Sequence, residues 1–305
     1  MDILKFTTGF YGRLHNYGMP VWVLAPLRRA VRIFANKVLP KYLNTESALS
    51  KDRRSNLIVS FTSFPARIND VWKVVECLKR QTVLPEKIIL WLSKEQFSDP
   101  SMIPDNLSSR EDDLFEIRMV EGDIRSHKKY YYVMQEFPGK DFITSDDDIF
   151  YDPFMIERLL EASEKYPKCV IANHSSHIQF GNDGQVLPYS EWVDDEYPYA
   201  DHNRLQIGVG GVFYPNGSLH DMVLRKDIFM SLTPLADDIW LNAMARLKGT
   251  NVVQSGKAIL NIEITNASPS LSSVNNGIEN MNDIQIMKLK NFLINNGFQD
   301  IYFQS

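Results

Sequence analysis

The sequence predicts an α/β fold with a mostly parallel sheet that has helices on its faces. Short apolar runs of strand length alternate with segments of helical periodicity, in the order β-α-β-β-α-β. Ligands of such sheets bind beyond the carboxyl ends of the strands. The strands are predicted at LIVSF (57–61), KIILWLS (87–93), FEIRMVEG (115–122), KDFITS (140–145) and CVIAN (169–173).

Helices are predicted wherever apolar residues recur at helical spacing behind a capping residue. NDVWKVVECLKRQ has Asp70 as its expected N-cap, and DPFMIERLLEASEKY has Asp152. Two later helices are expected to end at Gly249 and Gly297. Residues 174–220 lack such periodicity and are predicted to be a long loop, which in a compact domain is usually functional.

An N-terminal amphipathic helix is predicted over residues 26–43. Residues 1–54 hold ten Lys/Arg against three Asp/Glu, and we treat them as a basic arm preceding a main domain over 55–305. A basic amphipathic helix can lie on an anionic membrane; the alternative is a helix that packs on its own domain. The sequence has no run of 18 or more apolar residues, so no transmembrane helix is predicted.

Composition narrows the class of protein. The chain has 305 residues, of which 44% are hydrophobic and 23% charged, as in ordinary globular proteins. The net charge of the whole chain is −5 and that of the arm is +7, so the residues after the arm carry −12. An acidic main domain argues against a nucleic acid partner. The two cysteines, Cys77 and Cys169, are far apart in sequence, so a reducing, cytoplasmic location is expected.

Three consecutive aspartates follow the fourth predicted strand, in DFITSDDDIFYDP. In an extended segment Asp146 and Asp148 point to the same face. Two carboxylates on one face suit Mg²⁺ or Mn²⁺, which complete their coordination with water and substrate phosphates. The alternative is an acidic loop that caps a helix.

A second acidic pair, Asp237 and Asp238, precedes an apolar helix. One of the two could cap that helix, and the other could act as a general base. A basic segment, GDIRSHKKY, follows the third strand, so that Lys128 and Lys129 could contact a diphosphate while Asp123 accepts hydrogen bonds from a base or ribose. The alternative there is a solvated basic turn.

The glycines of QIGVGGVFYPNGSL do not form a phosphate-binding P-loop. Gly210 and Gly211 indicate either a close approach of the backbone to a substrate or a tight strand connection. Aromatic residues in the long loop, among them Tyr189 and Trp192, could stack against sugar rings. The expected acceptor-binding residues are therefore Tyr189, Trp192, Gly210 and Gly211.

Together, the segments SFTSFPARI, KIILWLS, GDIRSHKKY, ITSDDDIFY, GVGGVFYP and ADDIWL resemble bacterial glycosyltransferases of the GT-A fold that build lipopolysaccharide or capsular glycans. The resemblance spans residues 57 to about 250. It implies a nucleotide-sugar half over about 55–150 and an acceptor half over about 151–305. It also implies a Mn²⁺ or Mg²⁺ cofactor, a uridine diphosphate sugar donor, and a glycan or lipid-linked acceptor at the inner face of the cytoplasmic membrane.

The resemblance also implies roles for single residues. Asp148 would bind the metal, Asp146 would touch the metal or the ribose, and Asp238 would be the base of an inverting transfer beside Asp237. Histidine is absent after His220, where many members of that family supply a further metal ligand. The expected nucleotide-sugar-binding residues are Thr62, Arg67, Asp123, Lys128, Lys129, Asp146 and Asp147.

Two alternatives remain at this point. A sugar nucleotidyltransferase has a similar sheet and metal, but such enzymes usually carry a glycine-rich basic loop after the first strand, where this chain reads TSFPARI. A non-catalytic module could instead hold Ca²⁺ with the aspartates and a carbohydrate with the aromatic residues. Nucleotide binding would argue against the module.

Overall fold

The computed structural model describes residues 2–14, 20–45, 54–194, 198–257, 259–265 and 280–303. Its helices are α1 (Ile3–Arg13), α2 (Val21–Leu43), α3 (Val71–Lys79), α4 (Asp105–Ser108), α5 (Lys128–Glu136), α6 (Met155–Lys165), α7 (Lys226–Leu232), α8 (Asp237–Lys248) and α9 (Met281–Asn295). Its strands are β1 (Leu57–Thr62), β2 (Lys87–Ser93), β3 (Phe115–Val120), β4 (Asp141–Thr144), β5 (Ile149–Phe150), β6 (Val170–Ala172), β7 (Ser175–His177), β8 (Val193–Asp194), β9 (Arg204–Gln206), β10 (Val212–Tyr214), β11 (Val252–Gln254) and β12 (Ile262–Glu263).

The main sheet has seven strands in the order β11-β6-β10-β4-β1-β2-β3. β1 pairs in parallel with β2 and β4, β2 with β3, and β6 with β11. Among the described strands of this sheet, β10 alone is antiparallel to its neighbours, β4 and β6. The predicted α/β class with a mostly parallel, Rossmann-like sheet is therefore confirmed.

The core lies on both faces of this sheet, because side chains alternate along each strand. In β1, Val59 and Phe61 join the apolar cluster that includes α3 and α6, whereas Ile58 joins the cluster that includes α5, α8 and α9. All six residues of β1 are buried. A strand buried on both faces reads as a continuous apolar run, and this is why the sequence located it well.

The predicted loop over 174–220 is wrong in part. It contains β10 of the main sheet and the strands β7, β8 and β9, which form a small sheet of their own. Each has two or three residues, too few for an alternating pattern to be recognised. The loop prediction failed because these strands are too short to be recognised from the sequence.

Two predicted caps also differ from the structure. Asp70 stands before α3 but makes no capping hydrogen bond; its carboxylate pairs with Lys73 at 2.5 Å. Asp152 precedes α6 by three residues, accepts from the backbone N–H of Phe154 at 2.9 Å and pairs with Arg158 at 2.5 Å. In both cases a nearby cation competes successfully with the helix N-terminus for the carboxylate.

The N-terminal helices pack against the main body. α2 begins at Val21, five residues before the predicted start, and includes Pro26 in its interior. Ala35 and Leu39 of α2 are fully buried in the cluster that covers β1. The described residues include no helix that is long and apolar enough to cross a membrane. The boundary of the predicted arm at residue 54 stays a prediction.

Candidate functional site

A pocket of about 490 Å³ opens at the carboxyl ends of β1 and β4. The parallel pairing of these strands aligns Ser60 with Thr144, so that the segments following each strand leave the sheet side by side. The acidic residues after β4 and the loop after β1 therefore meet in the pocket, as expected for a ligand site of an open α/β sheet. The lining contains all of the predicted catalytic, metal-binding and nucleotide-binding residues, namely Thr62, Arg67, Asp123, Lys128, Lys129, Asp146, Asp147, Asp148, Asp237 and Asp238.

The loop after β1 supplies a buried cation to the aspartates. One nitrogen of Arg67, Nη1, lies 2.8 Å from Asp147 Oδ1 and 2.8 Å from Asp148 Oδ2. Ser63 Oγ donates to the second oxygen of Asp147 at 2.5 Å. Asp147 is therefore held between a guanidinium and a hydroxyl, and faces these partners rather than solvent.

The start of α5 supplies a second cation. Lys129 pairs with Asp146 and lies 3.8 Å from Asp237 Oδ2, so that it joins the acidic residues after β4 to those at the start of α8. Burial opposes the charge of Lys129, but Asp146, Asp237 and Asp238 outweigh it and raise the lysine pKa well above its usual value. Lys129 is thus an ammonium held by carboxylates.

Asp238 accepts the backbone N–H of Gly208 on Oδ2 at 3.0 Å, and its main-chain oxygen accepts from Gln206 Nε2 at 3.1 Å. Burial, followed by the charge of Asp237, raises the Asp238 pKa above its ordinary range. The neighbouring Asp237 has a lowered pKa: burial opposes the lowering, and Lys129 outweighs burial. Two adjacent carboxyls with opposite shifts are typical of acid–base sites.

The carboxylates outnumber the cations that face them. Burial, and then the charges of Asp146 and Asp147, raise the Asp148 pKa to about 7 although Arg67 opposes this. Burial likewise raises the pKa of Asp147 despite its contact with Arg67. A divalent cation would relieve this excess negative charge, so the oxygen donors of Asp146 and Asp148 fit Mg²⁺ or Mn²⁺. Among the described residues no three His, Cys, Asp or Glu side chains already converge as a metal site; Lys129 and Arg67 hold these carboxylates instead.

Asp123 lines the pocket in the segment that follows β3. Its carboxylate pairs with Lys128 and accepts from the backbone N–H of Arg125 at 2.9 Å and from Gln96 Nε2 at 2.8 Å. Burial lowers the pKa of Lys128 although Asp123 opposes this. Thr62 donates its hydroxyl to the main-chain oxygen of Trp91 at 2.7 Å, so this group is already used within the sheet.

The predicted acceptor residues are not brought together in the pocket. Tyr189 lines it and stacks near Trp192, with 5.0 Å between ring centroids, but Trp192 itself is not in the lining. A Cβ on Gly210 would lie 3.0 Å from Asn173, and one on Gly211 would lie 2.9 Å from Met155 Sδ. The two glycines therefore serve packing behind the pocket, and an acceptor role for these four residues stays a prediction.

Sequence reasoning missed several lining residues. Ser63 directly follows a predicted pocket residue, and its position at a strand end was a usable signal. The apolar wall and the residues that come from α9 and β12 had no such signal, because they reach the pocket only through tertiary packing. The missed lining residues include Ser63, Gln96, Ser126, Leu205, Ile207, Val209, Leu235, Glu263 and Asn282.

No family model and no curated protein matches the chain. Among solved structures it is similar to a CMP:2-keto-3-deoxy-manno-octonic acid synthetase complexed with CTP, at 11% identity over 67% of this chain and 89% of that one, with a TM-score of 0.39. It is also similar to HddC from Yersinia pseudotuberculosis, at 14% identity over 52% of this chain and 76% of that one, with a TM-score of 0.33. HddC complexed with GMP-PN matches at 13% identity, over the same shares and with the same TM-score of 0.33.

These similar structures correct one prediction. They are of nucleotidyltransferase enzymes and not of glycosyltransferases, so the predicted glycosyltransferase activity is contradicted, and the finding agrees better with the alternative of a sugar nucleotidyltransferase. Likeness at such low identity concerns the fold alone. The activity of this chain therefore has to be argued from its pocket.

Proposed function

We propose that this chain is a metal-assisted sugar nucleotidyltransferase. It binds a nucleoside triphosphate in the pocket and joins the nucleotidyl group to a sugar, with release of pyrophosphate. One observation carries the proposal: seven carboxylates and four cationic side chains line one pocket at the carboxyl ends of parallel strands. The carboxylates are those of Asp123, Asp146, Asp147, Asp148, Asp237, Asp238 and Glu263, and the cationic side chains are Arg67, Arg125, Lys128 and Lys129.

The cationic side chains suit a polyphosphate. Arg67, Lys128 and Lys129 are all buried, although they come from the loop after β1 and from the start of α5. Buried guanidinium and ammonium groups bind phosphate oxygens strongly because water screens them little. Arg67 also gives the loop after β1 a basic residue, even though TSFPARI lacks the glycines expected of a nucleotidyltransferase there.

Asp146 and Asp148 would hold the Mg²⁺ or Mn²⁺, which supplies neutralisation of charge on the phosphate oxygens. Mg²⁺ is usually bound through one or two carboxylates together with substrate phosphates. Ca²⁺ instead takes six to eight oxygen ligands. A site with two suitably placed carboxylates and adjacent cations therefore favours a phosphate-bound metal over the alternative of a structural Ca²⁺ module.

The chemical step is a substitution at the α-phosphorus. An oxygen of the sugar forms a new bond to phosphorus, and the bond from phosphorus to the bridging oxygen of the β-phosphate breaks. Pyrophosphate leaves with that electron pair. Where the attacking group is a hydroxyl, Asp238 accepts its proton, since its raised pKa places it closer to neutral pH than an ordinary carboxyl.

Pyrophosphate release tests the proposal. The full chain is incubated with each nucleoside triphosphate, Mg²⁺ or Mn²⁺, and a panel of sugar phosphates and sugar acids, and free pyrophosphate is measured. We expect release that requires a triphosphate, a metal and a sugar together. Binding of diphosphates in preference to triphosphates, with no pyrophosphate from any combination, would overturn the proposal.

Asp238→Asn tests the assigned base. General base catalysis contributes about 10²–10⁴-fold, so kcat should fall by at least about 100-fold while the Kd for the nucleoside triphosphate changes little. The matched control is Asp227→Asn, which removes a carboxylate that pairs with Arg225 on the surface at 2.7 Å. Equal kcat values in the two variants would remove Asp238 from this role.

A further inference from the structure

A surface that combines exposed apolar side chains with positive charge lies on α1 and α2. Trp22 is 78% exposed, and Phe6, Ile33 and Phe34 are each at least half exposed. Large apolar residues this exposed are ordinary when single, but a contiguous group of them marks an interaction surface. None of these residues contributes to the lining of the pocket at the sheet.

Helix geometry places the exposed apolar residues on the outer side of the helix pair. Trp22 and Ile33 are eleven residues apart and therefore lie on the same side of α2, about three turns apart. Phe34, the neighbour of Ile33, lines a shallow groove between the two helices together with Phe6 and Phe10. The outer side of the helix pair thus presents an apolar strip formed by Phe6, Trp22, Ile33 and Phe34, with Arg29 between Trp22 and Ile33.

Positive charge surrounds this strip. Residues 2–43 contain seven Lys/Arg and one acidic residue, Asp2. Arg29 follows Trp22 by seven residues, so it lies on the same side of α2 and is exposed. The other exposed cationic residues of the helix pair are Lys5, Arg13, Arg32, Lys37 and Lys41.

The inner side of the helix pair is fixed to the protein. Leu4, Leu39 and Leu43 are buried in the core cluster on one face of the sheet. Asn36 Nδ2 donates to the main-chain oxygen of Glu263 at 3.0 Å. The helix pair therefore packs on the main body through its inner side, and the strip on its outer side is exposed.

We propose that this surface binds the headgroup region of an anionic membrane. An interfacial helix buries its apolar side at the headgroup boundary while basic residues at its edge contact anionic lipids. Each basic residue near such a surface strengthens binding about fivefold. Charge complementarity favours this partner, because the helix pair lies within residues 2–43, which hold seven Lys/Arg against one acidic residue.

Vesicle co-sedimentation of the full chain tests the proposal at low and high salt, with vesicles of phosphatidylcholine alone or mixed with phosphatidylglycerol. We expect binding to the anionic vesicles that weakens with salt, and little binding to the neutral ones. Arg29→Gln/Arg32→Gln/Lys37→Gln should lower the partition coefficient about 100-fold. Trp22→Ser/Ile33→Ser should lower it by on the order of tenfold.

The matched control is Met287→Ser/Ile294→Ser, which removes two exposed apolar residues of α9 on the other face of the sheet. This control should bind vesicles as the unchanged chain does. Absence of binding to anionic vesicles overturns the proposal, as does equal loss in the α2 and α9 variants. A dimer in sedimentation velocity that the α2 variants dissociate, without vesicle binding, would instead assign the surface to a second copy. Because pyrophosphate release is measured without vesicles, failure of either proposal is separate from failure of the other.

Discussion

At the scale of single residues, the pocket is organised by an excess of carboxylates over cations. Arg67 is shared by Asp147 and Asp148, and Lys129 connects Asp146 with Asp237. Each of these two cations thus contacts two acids. Such buried networks are costly when one partner is missing, because a charge left unpaired in the interior is destabilising. The negative charge that these cations do not balance is the physical basis for expecting a metal with the substrate.

The raised pKa of Asp148, to about 7, predicts how stability depends on pH without metal. An unfolded aspartate has a pKa of about 3.9, so between about pH 4 and 7 the folded state holds a proton that the unfolded state releases. The free energy of unfolding therefore falls as pH rises through this window. We expect the Tm in EDTA to decrease from pH 5 to pH 8, and to decrease less in Asp148→Asn.

Asp227→Asn is the control for this measurement, because the Asp227 carboxylate is on the surface with its pKa lowered by a hydrogen bond from Arg225. It should show the same decrease as the unchanged chain. Addition of Mn²⁺ should raise the Tm more at pH 8 than at pH 5, since the metal binds the ionised form. An identical decrease in the unchanged chain and Asp148→Asn would show that Asp148 is not the titrating group.

At the scale of elements, the sequence located those whose patterns are long. The bounds of β2 coincide with the predicted 87–93, and α8 ends at Gly249, which has the positive φ of 77° expected of a helix-ending glycine. β10 was not predicted because a run of three apolar residues is too short to show the alternation of a strand. The two acidic segments of the pocket were found from sequence, since each stands at the end or start of a regular element. Arg67 and Lys129 were also predicted at the site, as nucleotide-binding residues, but their ion pairs with the aspartates were not, because these pairs form only through folding.

The backbone conformation of the turn before β10 leads to a prediction about Gly211. Its φ is +87°, and a Cβ there would lie 2.9 Å from Met155 Sδ. Gly211→Ala combines an unfavourable backbone conformation, which costs about 1–2 kcal/mol, with crowding against α6. Chemical denaturation should show a lower free energy of unfolding by at least about 1 kcal/mol.

Gly9→Ala is the matched control for this variant. Gly9 lies inside α1, where a Cβ would meet no atom within 4 Å. Alanine favours the helix over glycine by up to about 1 kcal/mol, so this variant should be as stable as the unchanged chain or more so. Equal losses in Gly211→Ala and Gly9→Ala would contradict the assignment of strain to the turn before β10.

At the scale of the whole molecule, the N-terminal helices belong to the packed body as well as to its surface. Arg80 of the segment after α3 donates from Nη2 to the main-chain oxygens of Leu43 at 3.1 Å and Thr45 at 2.6 Å. Ala35 and Leu39 of α2 join the same apolar cluster as β1. A role of this region at a membrane therefore has to be tested with surface substitutions, since its removal would alter the core.

Removal of residues 1–45 tests how much the packing of α1 and α2 contributes to the stability of the main body. The truncated chain would lose the buried apolar residues of α1 and α2 and expose the part of the core cluster that they cover, including the side of α3 that contacts α2. Removing a single large side chain from a core costs about 2–5 kcal/mol, so loss of several should bring the chain close to unfolding or make it aggregate. We expect the truncated chain to have a much lower Tm and reduced solubility, whereas Trp22→Ser/Ile33→Ser keeps the Tm of the unchanged chain. A truncated chain that keeps the original Tm and binds nucleoside triphosphate normally would show instead that the helix pair is an independent arm, as the basic composition of residues 1–54 first indicated.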